Sequence, residues 1–122
     1  MLEFSSLNKT WVLDVDGTIV KHNGYKIDGH DTLLNGVDEF FKQIDPDDKV
    51  ILLTARKEEY LDDLKSFLAV HGIRYDYLLT DMPMGERILV NDRKPSGLDM
   101  AFCVNKDRDA SLDIMYKINE EL

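Results

Sequence analysis

Three stretches of the sequence place oxygen-bearing side chains directly after a short apolar run. Asp14 and Asp16 follow the first run, Thr54 ends the second, and Asp92 follows a later one. The two-residue spacing of Asp14 and Asp16 allows both carboxylates to point the same way as the chain leaves a strand, and Gly17 permits a tight turn there. A cluster of carboxylates suits Mg²⁺, which takes carboxylates together with waters and a substrate phosphate.

The second stretch has the side chains of a phosphate site. Thr54, Ala55 and Arg56 lie where an apolar run gives way to an amphipathic pattern, and the free amides at a helix start attract oxyanions. Hydroxyl, amide and guanidinium groups at this point predict contacts with phosphate oxygens. A bound Mg²⁺ would offset the repulsion between the carboxylates and an incoming phosphate.

Short apolar runs and amphipathic patterns predict the elements that position these residues. The predicted strands are 10–15, 49–54, 77–80, 88–91 and 101–104, and the predicted helices are 33–44, 60–71 and 114–122. This alternation predicts an α/β protein, a three-layer α/β/α sandwich with a central, mainly parallel sheet. Ligands of such sheets bind at the carboxyl ends of the strands, so the candidate residues are expected to meet at one rim. No linker or repeat interrupts the chain, and residues 1–122 are expected to form a single domain.

Composition narrows the range of partners. The 122 residues carry 24 acids against 15 bases, a formal charge of −9, which disfavours nucleic acid because its binding needs clustered Lys and Arg. No apolar run is long enough for a membrane span, the N-terminus lacks a signal-peptide pattern, and Cys103 is the one cysteine. We therefore expect a cytoplasmic protein that binds no membrane and whose small phosphorylated substrate is admitted by a local cation.

The segment Asp14-Val15-Asp16-Gly17-Thr18 resembles the first motif of the haloacid dehalogenase (HAD) superfamily, whose members are mostly magnesium-dependent phosphatases. Thr54 resembles the second motif and Asn91-Asp92 the acidic fourth, in the family's order and over nearly the whole chain. The resemblance implies a Rossmann-like HAD fold, a hydrolase acting on phosphate monoesters, and Mg²⁺ as its cofactor.

The resemblance also implies a role for each matching residue. Asp14 would be the nucleophile that forms an aspartyl-phosphate, which splits one difficult displacement into two easier ones. Asp16 would be the general acid that protonates the leaving alcohol and then the base that activates water. Thr54 would bind the phosphoryl oxygens, and Asp92 would hold Mg²⁺ together with Asp14 and the backbone carbonyl of Asp16.

One position departs from the family's pattern. The third motif supplies a lysine or arginine that neutralises the phosphate and the nucleophile, but Met82 stands at the corresponding position. Arg87 is expected at the start of a strand, far from the rim, whereas Arg56, Arg93 and Lys94 are nearer candidates. Loss of a preorganised cation can lower the rate of phosphoryl transfer by several orders of magnitude, so the activity stays open at this stage.

The spacing of the motifs bears on the substrate. The gaps between the predicted strands are too short for an inserted cap domain, so the chain resembles the capless members of the family. Positions 92–95 resemble small phosphatases associated with capsule and surface-polysaccharide synthesis, which favours a sugar phosphate. An open site accepts a bulky substrate or borrows its lid from a neighbouring subunit in a homo-oligomer.

Other functions are compatible with parts of this pattern. The main alternative is a HAD-fold module that binds Mg²⁺ and a phosphorylated ligand without useful turnover. A cation that reaches the phosphate would favour the phosphatase, and the lack of one would favour the module. A response-regulator receiver domain shares the sheet and would use Asp81, but the spacing of the first acids fits it poorly. A calcium loop opening at Asp14 is disfavoured, since Ile19 and Tyr25 stand where glycine and glutamate are needed.

Overall fold

Two parallel sheets and three helices make up the regular structure of the chain. The computed structural model describes all 122 residues, and the elements in chain order are β1 (Leu2–Phe4), β2 (Thr10–Asp14), α1 (Gly24–Ile27), α2 (Val37–Lys42), β3 (Lys49–Leu53), a 3₁₀ turn (Glu58–Tyr60), α3 (Leu61–Val70), β4 (Tyr77–Leu79) and β5 (Tyr116–Ile118). Together they form a small α/β fold. None of the helices has both the length and the apolar composition that a membrane span requires.

The larger sheet contains the strands whose carboxyl ends were predicted to form the site. Its order is β2-β3-β4, and both pairings are parallel. Asp14 pairs with Leu53, and Leu53 pairs with Leu79, so the three strands end at the same level. The predictions of parallel strands at these three places are confirmed, and the residues that follow them share one edge of the sheet.

The core lies between this sheet and the apolar residues of α2 and α3. Val50 and Leu52 of β3 are fully buried, and so are Leu64 and Leu68 of α3. They belong to one cluster that also contains Phe40 of α2. Leu64 and Leu68 lie four residues apart on one face of the helix, and burying each of them stabilises the fold by about 2 kcal/mol.

Helix α2 begins later than the pattern at 33–44 predicts. Gly36 precedes it with a φ of 83°, which a residue with a side chain rarely adopts. A Cβ at Gly36 would also lie 2.6 Å from the carbonyl oxygen of Leu112. Upstream, Leu33 forms an isolated bridge with Val20 instead of a helical turn. The close approach of the C-terminal segment therefore sets the start of α2.

The predictions of strands at 88–91 and 101–104 are wrong, because neither segment pairs with another strand. Ile88 and Val90 are 85% and 88% exposed. Without these partners β2 is an edge strand of its sheet, and Val12 is 51% exposed.

The prediction of a closing helix at 114–122 is also wrong. The segment contains β5, which pairs in parallel with β1 and places Tyr116 opposite Leu2. The centroid of the Tyr116 ring lies 5.4 Å from that of Phe4 and 5.3 Å from that of Trp11. Packing of these aromatic side chains favours the extended conformation over the helix that the apolar spacing suggested.

An apolar groove runs along the open edge of β2. It has a volume of about 520 Å³, and its lining includes Val12 and Leu13 of β2 together with Leu89 and Phe102 from the segments that were predicted to be strands. The exposed apolar residues and the unpaired strand edge therefore lie next to one another.

Asp48 joins the loop before β2 to the start of β3. Its Oδ1 accepts hydrogen bonds from Nδ2 of Asn8 (2.9 Å) and from the backbone amide of Lys9 (2.8 Å), and its Oδ2 accepts one from Nε1 of Trp11 (3.0 Å). Burial by itself raises the pKa of Asp48, but these hydrogen bonds outweigh it and hold the pKa below the ordinary value of 3.8. The ionised carboxylate is therefore the form that stabilises the fold.

Replacing Asp48 by asparagine is expected to lower the free energy of unfolding at neutral pH by about 2 kcal/mol, because the new NH₂ group cannot accept the bonds made by one carboxylate oxygen. The pKa of Asp48 is lower in the folded than in the unfolded chain, so this stabilisation is full above the unfolded value and is lost as the pH falls through the folded value. Urea unfolding of wild type and Asp48→Asn should differ near neutral pH and converge in acid. Asp47→Asn, with an exposed side chain, is the matched control, and an equal loss in that variant would contradict the assignment.

Candidate active site

Asp14 ends β2 with its carboxylate at the rim of the larger sheet. Its Oδ2 accepts a hydrogen bond from Oγ1 of Thr18 at 3.0 Å, and its Oδ1 accepts one from Nη1 of Arg87 at 3.1 Å. The side chains of Asp14 and Arg87 are each 37% exposed. The carboxylate is thus held in place and accessible to a ligand, and a cation beside it balances its charge.

The turn after β2 folds back onto its own start and thereby positions Thr18 on Asp14. The amides of Thr18 and Ile19 both donate to the carbonyl of Val15, at 3.3 and 2.9 Å. Gly17 makes this turn possible, since its φ of 87° lies in the left-handed region.

Asp16 points toward the end of β3. Its Oδ2 accepts a hydrogen bond from Oγ1 of Thr54 at 2.8 Å, and its Oδ1 accepts two from Arg56, from Nε at 3.0 Å and from Nη2 at 2.8 Å. The side chain of Asp16 is 15% exposed. Asp16 of the first predicted stretch is therefore brought together with Thr54 and Arg56 of the second.

The guanidinium of Arg56 is buried between two carboxylates. Besides Asp16, it binds Asp31 in a bidentate pair of 3.0 and 2.6 Å, and its Cζ lies 3.8 Å from the centroid of the Tyr25 ring. Burial opposes the charge of Arg56, but the hydrogen bonds to Asp31 and Asp16 outweigh it and raise the pKa of the guanidinium. A buried arginine needs such partners, so in this arrangement Arg56 is not free to bind phosphate as the sequence predicted.

The end of β3 leaves one backbone amide for a ligand. The hydroxyl oxygen of Thr54 accepts a hydrogen bond from the amide of Arg56 at 3.1 Å, and the amide and carbonyl of Thr54 bind Leu79 and Met82. The amide of Ala55 donates to no backbone carbonyl. Of the three residues predicted to bind phosphate, Ala55 is the one whose polar group remains available.

The structure does not assemble the predicted magnesium site. Asp92 is exposed and contacts only its neighbour Asn91, and no group of three or more His, Cys, Asp or Glu side chains lies close enough to hold a metal ion. Asp14 and Asp16 are each bound to an arginine instead. As arranged, these residues do not fit a magnesium ion. The physical reason is the missing strand at 88–91, which was expected to bring Asp92 to the rim.

The cation beside Asp14 is Arg87, which the sequence placed farthest from the rim of the sheet. Arg87 was expected at the remote start of a strand, and this prediction is wrong because no strand forms there and the segment folds back to Asp14. Of the nearer candidates, Arg93 is paired with Asp99 at 2.6 Å. The side chain of Lys94 makes no ion pair.

The sequence did not indicate that Asp31 and Tyr25 belong to the candidate site. Both lie in the segment between β2 and α2 and contact Arg56, which ties that segment to the end of β3. The ring of Tyr25 also packs on Tyr60, with centroids 5.1 Å apart. The only local signal was a polar, glycine-containing stretch, which indicates a loop but does not reveal its partner.

We compared the chain with protein-family models, with curated proteins and with solved structures, and no match was found in any of the three comparisons.

Proposed function

We propose that this protein is a phosphomonoesterase of the HAD superfamily that acts on a sugar phosphate or a similar small metabolite through an aspartyl-phosphate. The arrangement around Asp14 is the observation that carries the proposal. Its carboxylate stands accessible at the end of a parallel strand, held by Thr18 and neutralised by Arg87. The end of the adjacent parallel strand supplies the free amide of Ala55.

The proposed reaction uses Asp14 as nucleophile. One carboxylate oxygen attacks phosphorus, the bond between phosphorus and the ester oxygen breaks, and the proton that the departing alkoxide needs comes from Asp16. Water then attacks the aspartyl-phosphate, Asp16 takes up its proton, and inorganic phosphate leaves with the Asp14 carboxylate restored. Arg87 stabilises the charge that develops on the phosphoryl oxygens.

Asp16 must change partners for this role. In the structure both carboxylate oxygens of Asp16 accept hydrogen bonds from Thr54 and Arg56, so neither is free to face a leaving group. We propose that the leaving group displaces one of these contacts. The same observation favours the second candidate function, a module that binds a phosphorylated ligand without useful turnover, if the contact between Asp16 and Arg56 persists in the complex.

We further propose that the segment 88–92 closes onto the open edge of β2 when Mg²⁺ binds, while Arg87 keeps its contact with Asp14. Ile88, Leu89 and Val90 are exposed, and Leu89 lines the apolar groove beside that edge, so closure would bury apolar surface. Asp92 lies five residues after Arg87; the loop can therefore bring its carboxylate to Asp14, and the two could hold Mg²⁺ with the carbonyl of Asp16. Mg²⁺ would supply charge neutralisation to the phosphate, and we propose a three-layer α/β/α sandwich for the closed form.

Adding millimolar Mg²⁺ is expected to slow the backbone hydrogen exchange of 88–91 and of β2 and to raise the melting temperature. The reason is that Mg²⁺ binds the form in which 88–92 lies against β2 and stabilises that form by mass action. Asp92→Asn should lose both effects. Asp62→Asn on the exposed side of α3 removes the same charge elsewhere and should keep them. Unchanged exchange of 88–91 at every magnesium concentration would contradict the docking proposal without bearing on Asp14.

The remaining parts of the proposal concern setting and assembly. We propose a cytoplasmic enzyme that forms one domain, carries no cap and binds neither nucleic acid nor membrane. A homo-oligomer in which a neighbouring subunit covers the rim would compensate for the missing cap.

The experiment that tests the function is phosphate release from p-nitrophenyl phosphate and a panel of sugar phosphates, with and without Mg²⁺. Turnover that requires Mg²⁺ supports the phosphatase and ranks the substrates. Ligand binding by calorimetry without turnover on any substrate would favour the binding module.

A further inference from the structure

A loop near the C-terminus packs against the turn that follows Asp14 and Asp16. The carbonyl of Gly17 accepts two hydrogen bonds from this loop, from the backbone amide of Asp109 at 2.9 Å and from Nζ of Lys106 at 3.0 Å. The carboxylate of Asp109 in turn accepts a hydrogen bond from the amide of His22 at 2.7 Å. Three contacts thus fix the loop at the entrance of the candidate site.

The loop carries Arg108 onto Gly17. A Cβ built on Gly17 would lie 3.2 Å from Cγ of Arg108, so the stem of the arginine rests on the turn itself. The next residue, Asp109, has a φ of 63°, a strained conformation for a residue with a side chain, and such strain is kept where surrounding contacts impose it. The position of Arg108 is therefore imposed by the fold.

Arg108 differs from every other arginine in the chain. Arg56, Arg74, Arg87 and Arg93 each form an ion pair with an aspartate, as expected in a molecule of net charge −9. Arg108 is exposed and makes neither an ion pair nor a hydrogen bond through its guanidinium.

A second unsatisfied polar group lies on the same turn. Nδ1 of His22 is buried and has no hydrogen-bond partner, and Cβ of His22 is 3.8 Å from the position of a Cβ on Gly17. Buried polar atoms in folded proteins are nearly always paired. The side chains of Arg108 and His22, each with a polar group that has no partner, thus begin beside Gly17, three residues from the proposed nucleophile.

We propose that Arg108 binds a second anionic group of the substrate, a carboxylate or a further phosphate, while the reacting phosphate lies at Asp14. The planar guanidinium matches either group with two parallel hydrogen bonds. The inference rests on the proposed function and narrows it, because the substrate class becomes phosphomonoesters that carry an additional acid. The unpartnered Nδ1 of His22 would complete the subsite as a hydrogen-bonding group.

The test compares pairs of ligands that differ only in the second anion. Calorimetry on the Asp14→Asn protein, which cannot consume them, gives Kd for 6-phosphogluconate against sorbitol 6-phosphate and for fructose 1,6-bisphosphate against fructose 6-phosphate. We expect the diacid of at least one pair to bind about tenfold more tightly, as a charge-assisted hydrogen-bonded pair provides. The pair that shows the preference distinguishes a carboxylate from a phosphate.

Arg108→Gln in the same background should reduce the preference to less than about twofold, while Lys65→Gln, which removes one exposed positive charge from α3, should retain it. Equal binding within both pairs, or a preference that survives Arg108→Gln, would overturn the inference. The proposed function fails separately, when wild type binds these ligands but hydrolyses none of them. Hydrolysis without any preference leaves the function and removes the role of Arg108.

Discussion

Asp14→Asn is expected to lower phosphate release by about 10⁴-fold or more, because the amide cannot form the aspartyl-phosphate of the proposed reaction. The substitution preserves the shape of the side chain, and Oδ1 can still accept the hydrogen bond from Arg87 or Thr18. The loss should therefore appear in kcat rather than in the stability of the fold. Initial rates on the best substrate of the panel, with Mg²⁺ in excess, measure it.

Two controls make this result specific to Asp14. Asp62→Asn makes the same chemical change on the exposed side of α3 and should leave the rate unchanged. Mass spectrometry of acid-quenched wild type should detect a phosphoryl group on the peptide that contains Asp14, and none in the variant. A variant that retains the wild-type rate would show that another group attacks phosphorus, and the proposed mechanism would be abandoned.

The sequence was sufficient for the parts of the fold in which local pattern and tertiary environment agree. β2 and β3 are short apolar runs followed by turn residues, and α3 has its buried Leu64 and Leu68 four residues apart. In these segments the residues whose spacing predicts a strand or a helix are also the residues that the core buries. The parallel pairing followed from the alternation of strands and helices, which leaves few other connections.

The C-terminal segment illustrates where local pattern is ambiguous. Ile114, Met115, Ile118 and Leu122 fit a helical stripe, but Leu112, Ile114 and Tyr116 also alternate with Asp113, Met115 and Lys117 as in a strand. The burial pattern follows the second spacing, with Leu112 buried and Met115 exposed. Pairing with β1, more than a hundred residues away in the chain, selects the strand over the helix. The local sequence does not identify β1 as the partner.

The candidate site could be predicted to the level of its strand ends but not to its ion pairs. Asp14, Asp16 and Thr54 follow β2 and β3, and the parallel register brings them to one edge. The partners of the charged groups depend on the path of loops instead. Asp31 reaches Arg56 across 25 positions and Arg87 reaches Asp14 across 73, and in a chain with 24 acids each arginine had many possible partners.

Arg87→Ala is expected to lower kcat about 10²- to 10³-fold, as the loss of one preorganised group that stabilises transition-state charge does in other enzymes. Arg87 is the cation in contact with the proposed nucleophile, and Met82 stands where the resemblance to the HAD superfamily implies a lysine. Arg87→Lys should recover part of the rate, because it restores the charge without the fork of donors. Steady-state kinetics on one substrate, with kcat and KM separated, compare the three proteins.

Arg93→Ala tests whether Arg93, one of the cations that the sequence placed nearer the rim, serves in place of Arg87. Its guanidinium is paired with Asp99 and the side chain is 67% exposed, so the variant should keep a rate close to that of wild type. A larger loss for Arg93→Ala than for Arg87→Ala would transfer the role to Arg93. Met82→Lys is expected to give no gain in wild type, because Arg87 already supplies the cation at Asp14. A large gain would mean that Arg87 does not reach the phosphate.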